Sequence, residues 1–328
     1  MAKTWPSFTP AQLFEAQLNK KCPWHENYFV MFSTFWGGFS TEPWIWGVPP
    51  DDHMAHRGDA VFESFKCVNG RAYCFNEHLD RLSVSAAALG LELPLGPSDI
   101  LGILKQAYKL GGHDDFVVRL TVSRGPGSFS VNPYDSVGGS QLYLVTIKLK
   151  KPGQSVYDQG VKLATAPFAS KKEYSGIKSC DYLHNVLAKK SALDKGADYV
   201  VSFDQEGFLT EGATENVALV TKGGELIVPT FDRILKGVTL LRVMELAKAL
   251  VAKGTLKSIE NRDLTEKEAK DEAAEVFLTT TSFDVLGVSS WDGQPIGSGR
   301  PGPITRELFK LIDEDIHDPE SPYATNLA

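Results

Sequence analysis

Apolar positions along the chain fall into short β-type runs interleaved with longer stretches of helical spacing. Residues 28–35 and 61–68 concentrate aromatic and β-branched side chains and predict strands. The second is joined through Asn69-Gly70 to residues 71–75, a pair suited to tight hairpins. Asn76 then stands as the cap of a helix reaching Leu89, with Leu79, Leu82, Ala86 and Leu89 on one face. Pro10 near a first turn marks a helix over 9–20, and helical spacing recurs at 98–110, 182–195, 238–252 and 304–316. Further strands are predicted at 116–123, 141–150, 161–166, 199–203, 217–221 and 275–280. Residues 151–160, KPGQSVYDQG, have the composition of a connection, dividing the chain into 1–150 and 161–328. Both parts mix strands and helices, an α/β (α+β) pattern with hairpins and no internal repeat.

Composition narrows the functions open to such a chain. Its 328 residues suffice for two ordinary cores, and 42% hydrophobic with 23% charged residues is globular. A net charge of -7 argues against nucleic acid or an anionic membrane as partner. No apolar run approaches the roughly 20 residues of a membrane span. The start, MAKTWPSFTPAQLFEAQ, has neither a signal-peptide core nor the arginines of a transit peptide, so the expected compartment is the cytoplasm. The four cysteines lack C-x-x-C spacing, and no metal is expected.

Two motifs invite over-reading. Gly297-Ser298-Gly299-Arg300-Pro301-Gly302 matches the dinucleotide fingerprint in letters, yet too little chain follows for the strand–helix–strand unit it requires. Asp51-Asp52-His53-Met54-Ala55-His56 gathers metal-type ligands, but no second cluster accompanies it and a turn is expected there.

Residues 173–190, EYSGIKSCDYLHNVLAKK, are more informative. The lysines Lys171-Lys172 and Lys189-Lys190 come in pairs, whereas Lys178 sits alone between Gly176-Ile177 and Ser179-Cys180-Asp181. Taken alone it is either a surface charge or a nucleophilic amine. Residues 198–216 predict a hairpin turning at 204–207 whose far end presents Glu211. Gly237 opens a helix whose first turn offers free backbone N–H groups and the Thr239 hydroxyl, a place for an anion. A lysine, a carboxylate and an anion cup together suit pyridoxal 5'-phosphate.

Ordered motifs support that combination: HRGDAVFESF (56–65), NEHLDRL (76–82), GIKSCDYLHNVLAKKSA (176–192), EGFLTEGATEN (206–216), LKGVT (235–239) and VFLTTTS (276–282). Over residues 28–315 the chain resembles the fold-type IV pyridoxal-phosphate enzymes, the class IV aminotransferase family. The resemblance implies a smaller N-terminal α/β domain, a larger C-terminal domain with a barrel-like sheet, and a homodimer. It makes Lys178 the Schiff-base lysine, Glu211 the partner of the pyridine nitrogen and Arg81 the phosphate-binding arginine. Val238, Thr239 and Thr281 match phosphate ligands, and Leu235 matches a residue that packs on the ring.

Substrates would be small amino and 2-oxo acids, whose carboxylate calls for arginine. Arg57, Arg119 and Arg124 are candidates, with Ser282 a further pocket residue. On a regular strand Arg119 and Arg124 face opposite ways. Arg119 stands where branched-chain aminotransferases carry a pocket arginine; Arg124, in SRGPG, stands where D-amino-acid aminotransferases and aminodeoxychorismate lyases carry one. Arg57 replaces a tyrosine found in branched-chain enzymes, and Glu63 is similar to the aminotransferases. The expectation is a D-amino-acid aminotransferase. The alternatives are an aminodeoxychorismate lyase, a branched-chain aminotransferase, an (R)-amine transaminase and a cofactor-binding protein without turnover.

Overall fold

The computed structural model describes residues 4–45, 47–170 and 174–328, so Lys171 and Lys172 lie outside the described residues. The first elements are α1 (Pro10–Leu18), β1 (Tyr28–Ser33), β2 (Gly38–Ser40), α2 (His53–Arg57), β3 (Ala60–Val68), β4 (Arg71–Tyr73), α3 (Phe75–Ala88), α4 (Pro97–Gly111), β5 (Phe116–Ser123) and β6 (Gln141–Lys148). Next come α5 (Gln154–Gln159), β7 (Val161–Thr165), α6 (Leu183–Asp194), β8 (Tyr199–Val201), β9 (Asn216–Thr221), β10 (Glu225–Val228) and α7 (Val238–Ala252). The chain finishes with β11 (Ser258–Asn261), α8 (Glu266–Glu272), β12 (Ala273–Thr280), β13 (Asp284–Trp291), β14 (Gln294–Pro295), α9 (Pro303–His317) and β15 (Ala324–Asn326).

These strands make two sheets. The first is antiparallel throughout, in the order β15-β4-β3-β5-β6-β1-β2. The second is mixed, in the order β11-β10-β9-β12-β13-β7-β8. That path is open at both ends, so the larger sheet is not a closed barrel. The C-terminal β15 returns to the edge of the first sheet. Residues 151–160 carry the helix α5 as well as connecting chain.

Each sheet buries its face under helices of the periods read from the sequence. Leu79, Leu82 and Ala86 of α3 join Ile100, Leu104 and Ala107 of α4 over β3, β5 and β6. Leu240, Val243, Ala247 and Leu250 of α7 pack with Leu308 and Ile312 of α9 over β9, β10 and β12. A buried ion pair joins the two sheets: Lys66 Nζ of β3 meets Asp284 Oδ1 at the start of β13.

Both misleading motifs acquire structural explanations. Gly302 precedes α9, and the N–H groups of Ile304 and Thr305 donate to the buried Glu275 carboxylate at 3.1 and 2.8 Å. An internal anion therefore fills that helix N-terminus. In the other motif, Asp52 caps α2 by accepting from Met54 N at 2.8 Å, and His53 Nδ1 lies 3.2 Å from Asp59. The expected turn is thus a short helix. Among the described residues no helix is long and apolar enough to cross a membrane.

Candidate active site

Lys178 is positioned by a strand edge that the first sheet leaves free. β4 is short and pairs only with the far end of β3, at Cys67 and Val68. Residues 178–180 occupy the near end: Phe62 N donates to Lys178 O at 2.9 Å and Cys180 N to Ala60 O at 2.8 Å. Lys178 N in turn donates to Ser85 Oγ of α3 at 3.2 Å. Three anchors thus fix the backbone while the side chain enters a cavity of about 410 Å³. Its Nζ sits 4.7 Å from the Phe62 ring centroid. Burial and the neighbouring Arg81 charge lower the amine from 10.5 to about 8, against an opposing pull from Glu63 and Glu211.

Glu211 faces the same cavity from the segment between β8 and β9. The hairpin predicted within 198–216 forms, with Asp204 N on Phe208 O and Ser202 N on Glu211 O. Asn216 Nδ2 and Leu235 N both donate to Glu211 Oε2, at 2.9 and 3.1 Å. Oε1 accepts no hydrogen bond among the described residues. Burial outweighs these donors and raises the carboxyl from 4.5 to about 8. Leu235 lines the cavity beside it.

At another wall α7 begins. Its N-cap is Gly237, and the N–H groups of Val238, Thr239 and Leu240 have no protein acceptor among the described residues. An added Cβ at Gly237 would collide with Asn216 Oδ1 and lie 3.0 Å from its Cγ, so only glycine lets the helix start here. Arg81 lies alongside: Nε and Nη2 donate to the two Glu63 oxygens, each at 2.7 Å, and Nη1 to Lys236 O at 2.9 Å. Burial would raise the Glu63 carboxyl, but Arg81 and His78, whose Nδ1 lies 2.6 Å away, hold it down at about 2. Thr281 lines the cavity and donates to Ser64 O at 3.0 Å. Thr279 Oγ1 is buried there without a hydrogen-bond partner among the described residues.

The candidate substrate residues part company. Arg119 lines the cavity, its guanidinium 3.5 Å above the Phe62 ring, with no ion pair or hydrogen bond among the described residues. Register explains this placement, because β5 sets Arg119 opposite Ser64, another cavity residue. Arg124 is held by Asp59, through Nε at 2.5 Å and Nη2 at 3.0 Å, and by Leu89 O. Arg57 is exposed and donates to the carbonyls of His56 and Phe129. Ser282 lines the cavity, its Oγ 3.0 Å from Thr280 Oγ1. Sequence reasoning assigned no role to Phe62, Asn216, Tyr182 or Asn185, all of which line the same space. Their presence inside the quoted motifs was the available signal.

Comparison with known proteins gives the family and the fold. Residues 60–291 match the family described as Amino-transferase class IV. A D-amino-acid transaminase, chloroplastic, of Arabidopsis thaliana is 36% identical over 293 residues, covering 89% of this chain and 77% of the relative. A D-alanine aminotransferase of Bacillus licheniformis is 30% identical over 266 residues, covering 81% and 90% respectively. The fold matches a branched-chain amino acid aminotransferase solved with pyridoxamine 5'-phosphate, at a TM-score of 0.84. That match covers 92% of this chain and 99% of the other, at 24% identity. The branched-chain amino acid aminotransferase from Escherichia coli shares the fold at a TM-score of 0.80 and 21% identity, over 92% of this chain and 99% of its own. The chain belongs to the class IV aminotransferases, transaminases that use pyridoxal phosphate to exchange amino groups between amino and 2-oxo acids.

Proposed function

We propose that this transaminase takes D-amino acids as donors, works as a homodimer, and uses Lys178 and Glu211 as its catalytic pair. The observation that carries the assignment is one cavity in which a lysine of lowered basicity, a carboxyl of lowered acidity and an unfilled helix N-terminus meet. The donor set fits the cofactor. Arg81, the N–H groups of Val238 and Thr239 and the hydroxyls of Thr239 and Thr281 would hold the phosphate. Lys178 would hold the group covalently, Glu211 would face the ring nitrogen, and Leu235 would pack on the ring.

When bound, pyridoxal 5'-phosphate supplies an electrophilic carbon for the amine and a ring that accepts the electron pair left at Cα. The chain supplies the rest. A Lys178 amine lowered to about 8 has an appreciable neutral fraction near neutrality, so Nζ would serve as the base that holds and moves the substrate Cα proton. Glu211 ionises once a cation lies beside Oε1, because opposite charge reverses the effect of burial. Arg119 would bind the substrate carboxylate, as a cavity guanidinium with no ion pair among the described residues.

Preference for the D series is supported by two sequence relatives named for D-amino-acid substrates, while others are named for branched-chain amino acids. The test is a panel of D- and L-amino acids offered to the pure protein, scored by conversion of the bound cofactor to its aminated form. D-alanine and other small D-acids should convert it and their L counterparts should not. Conversion by L-branched acids alone would reject the D assignment. Lys178→Ala should lose covalent attachment of the cofactor and about 10⁴-fold or more of turnover.

A further inference from the structure

Arg81 presents an electrostatic puzzle. Its charge is matched by Glu63, a carboxylate with no solvent exposure that grips Nε and Nη2 together. Glu63 is held ionised by Arg81 and His78 in spite of its burial. A residue meant simply to bring positive charge to an anion would not be neutralised this way. Placed next to a phosphate dianion, the Glu63 charge is unfavourable.

We infer that Glu63 is a positioning residue: it trades net charge at the anion site for a fixed orientation of Arg81. The grip leaves one N–H on Nη1 and one on Nη2 uncommitted. With Nη1 also on Lys236 O, just before α7, the guanidinium plane is locked to the helix whose N–H groups complete the cup. Free arginine side chains sample many rotamers, and holding one still removes an entropy cost from ligand binding. His78, buried on α3, braces the carboxylate in turn. The helix N-terminus, not the arginine's net charge, then carries most of the compensation for the anion.

The inference rests on Arg81 as the phosphate ligand proposed above, and the two ideas can be tested apart. Simple electrostatics predicts that Glu63→Gln, by deleting a negative charge, tightens phosphate binding. Positioning predicts the reverse, since an amide has one acceptor oxygen where the carboxylate gives Nε and Nη2 one each, and its NH2 group would face the guanidinium. Protein stripped of cofactor would be titrated with pyridoxal 5'-phosphate and, separately, with pyridoxal, which lacks the phosphate. Glu63→Gln should weaken pyridoxal 5'-phosphate about tenfold or more while leaving pyridoxal within about twofold. Unchanged or tighter phosphate binding would overturn the inference, and so would an equal loss for both ligands. Should Glu63→Gln fail to fold, Glu63→Asp keeps the charge one methylene short and should show the same selective loss; parity with the parent protein would count against positioning. Arg81→Lys belongs in the same assay. If it binds both ligands normally, the phosphate role of Arg81 itself falls. If it loses phosphate selectivity while Glu63→Gln does not, only the role of Glu63 falls.

Discussion

Lys178 and Glu211 are displaced toward each other, the amine down to about 8 and the carboxyl up to about 8. Burial is the leading cause for both, which gives the cofactor-free protein a recognisable pH signature. Between 4.5 and about 8 the folded chain keeps a proton on Glu211 that the unfolded chain releases. The stability Glu211 contributes is therefore complete below 4.5 and declines as pH rises through about 8. Lys178 works in the other direction. Between about 8 and 10.5 the folded chain has shed a proton that the unfolded chain keeps, so its contribution grows over that window. Thermal unfolding of the cofactor-free protein should show the Glu211 decline over the lower window, and Glu211→Gln should flatten it. Parallel pH profiles for parent and variant would contradict a buried, proton-retaining Glu211. The same variant should still bind cofactor yet turn over about 10²- to 10⁴-fold more slowly, as expected when ring protonation is lost from a proton-transfer step.

Elements show why parts of this molecule were readable and others were not. β3, α3 and α7 follow their apolar periods closely, and the motifs around Lys178, Glu211 and Gly237 combine chemistry with local backbone demands. β10 has four residues, too few to display alternation, while α8 is polar and buries only Ala269. β13 starts at Asp284 with a positive φ and contains Gly287, both of which read as turn signals. Asn76 looked like a cap, but α3 begins at Phe75, two residues earlier than that cap implies. Its N-cap is Cys74, in the left-handed region, whose N–H donates to Tyr323 O from the far end of the chain. No local pattern announces such a tertiary partner. The clamp of Glu63 on Arg81 spans two elements and was invisible for the same reason, although both residues stood in quoted motifs. Alternation did separate Arg119 from Arg124. Placing Arg119 at the cavity and Arg124 on Asp59 needed the β3–β5 register and tertiary contacts. Gly237 gives the sharpest test at this scale. Its φ of -62° is ordinary, so Gly237→Ala fails through lack of space against Asn216, not through backbone strain. The substitution should destabilise the protein by about 1–3 kcal/mol and weaken cofactor binding. At Gly176 an added Cβ meets nothing within 4 Å, so Gly176→Ala should behave as the parent does. Equal melting temperatures for all three proteins would show that the helix start tolerates a side chain.

The whole molecule leaves α6 with an outward apolar face that its own fold does not use. Ala188 and Ala192 are buried beneath it, and Tyr182, Asn185 and Lys189 line the cavity. Leu183, Val186, Leu187 and Leu193 project the other way and are 67%, 58%, 47% and 59% exposed. At 100° per residue these four occupy one arc of the helix, opposite Ala188 and Ala192. Leu183, Val186 and Leu187 make an apolar patch at one end of that arc, separated from Leu193 by the exposed Lys190–Asp194 ion pair, and apolar patches mark interaction sites in otherwise polar surfaces. A second copy of this chain meeting it across a two-fold axis is the occupant proposed here, since each copy would present the same face. Because the cavity side chains sit on the same helix, assembly and catalysis would be linked: loosening the outer face frees the helix that carries Tyr182 and Asn185. Leu187→Glu places a charge at a position already half-exposed, so the folded monomer should tolerate it, with a melting temperature close to that of the parent at low concentration. Light scattering should find twice the chain mass for the parent and the single-chain mass for the variant, with turnover falling in step with dissociation. A parent protein of single-chain mass would refute the dimer. A variant that stays dimeric would place the interface elsewhere and leave the apolar face of α6 unexplained.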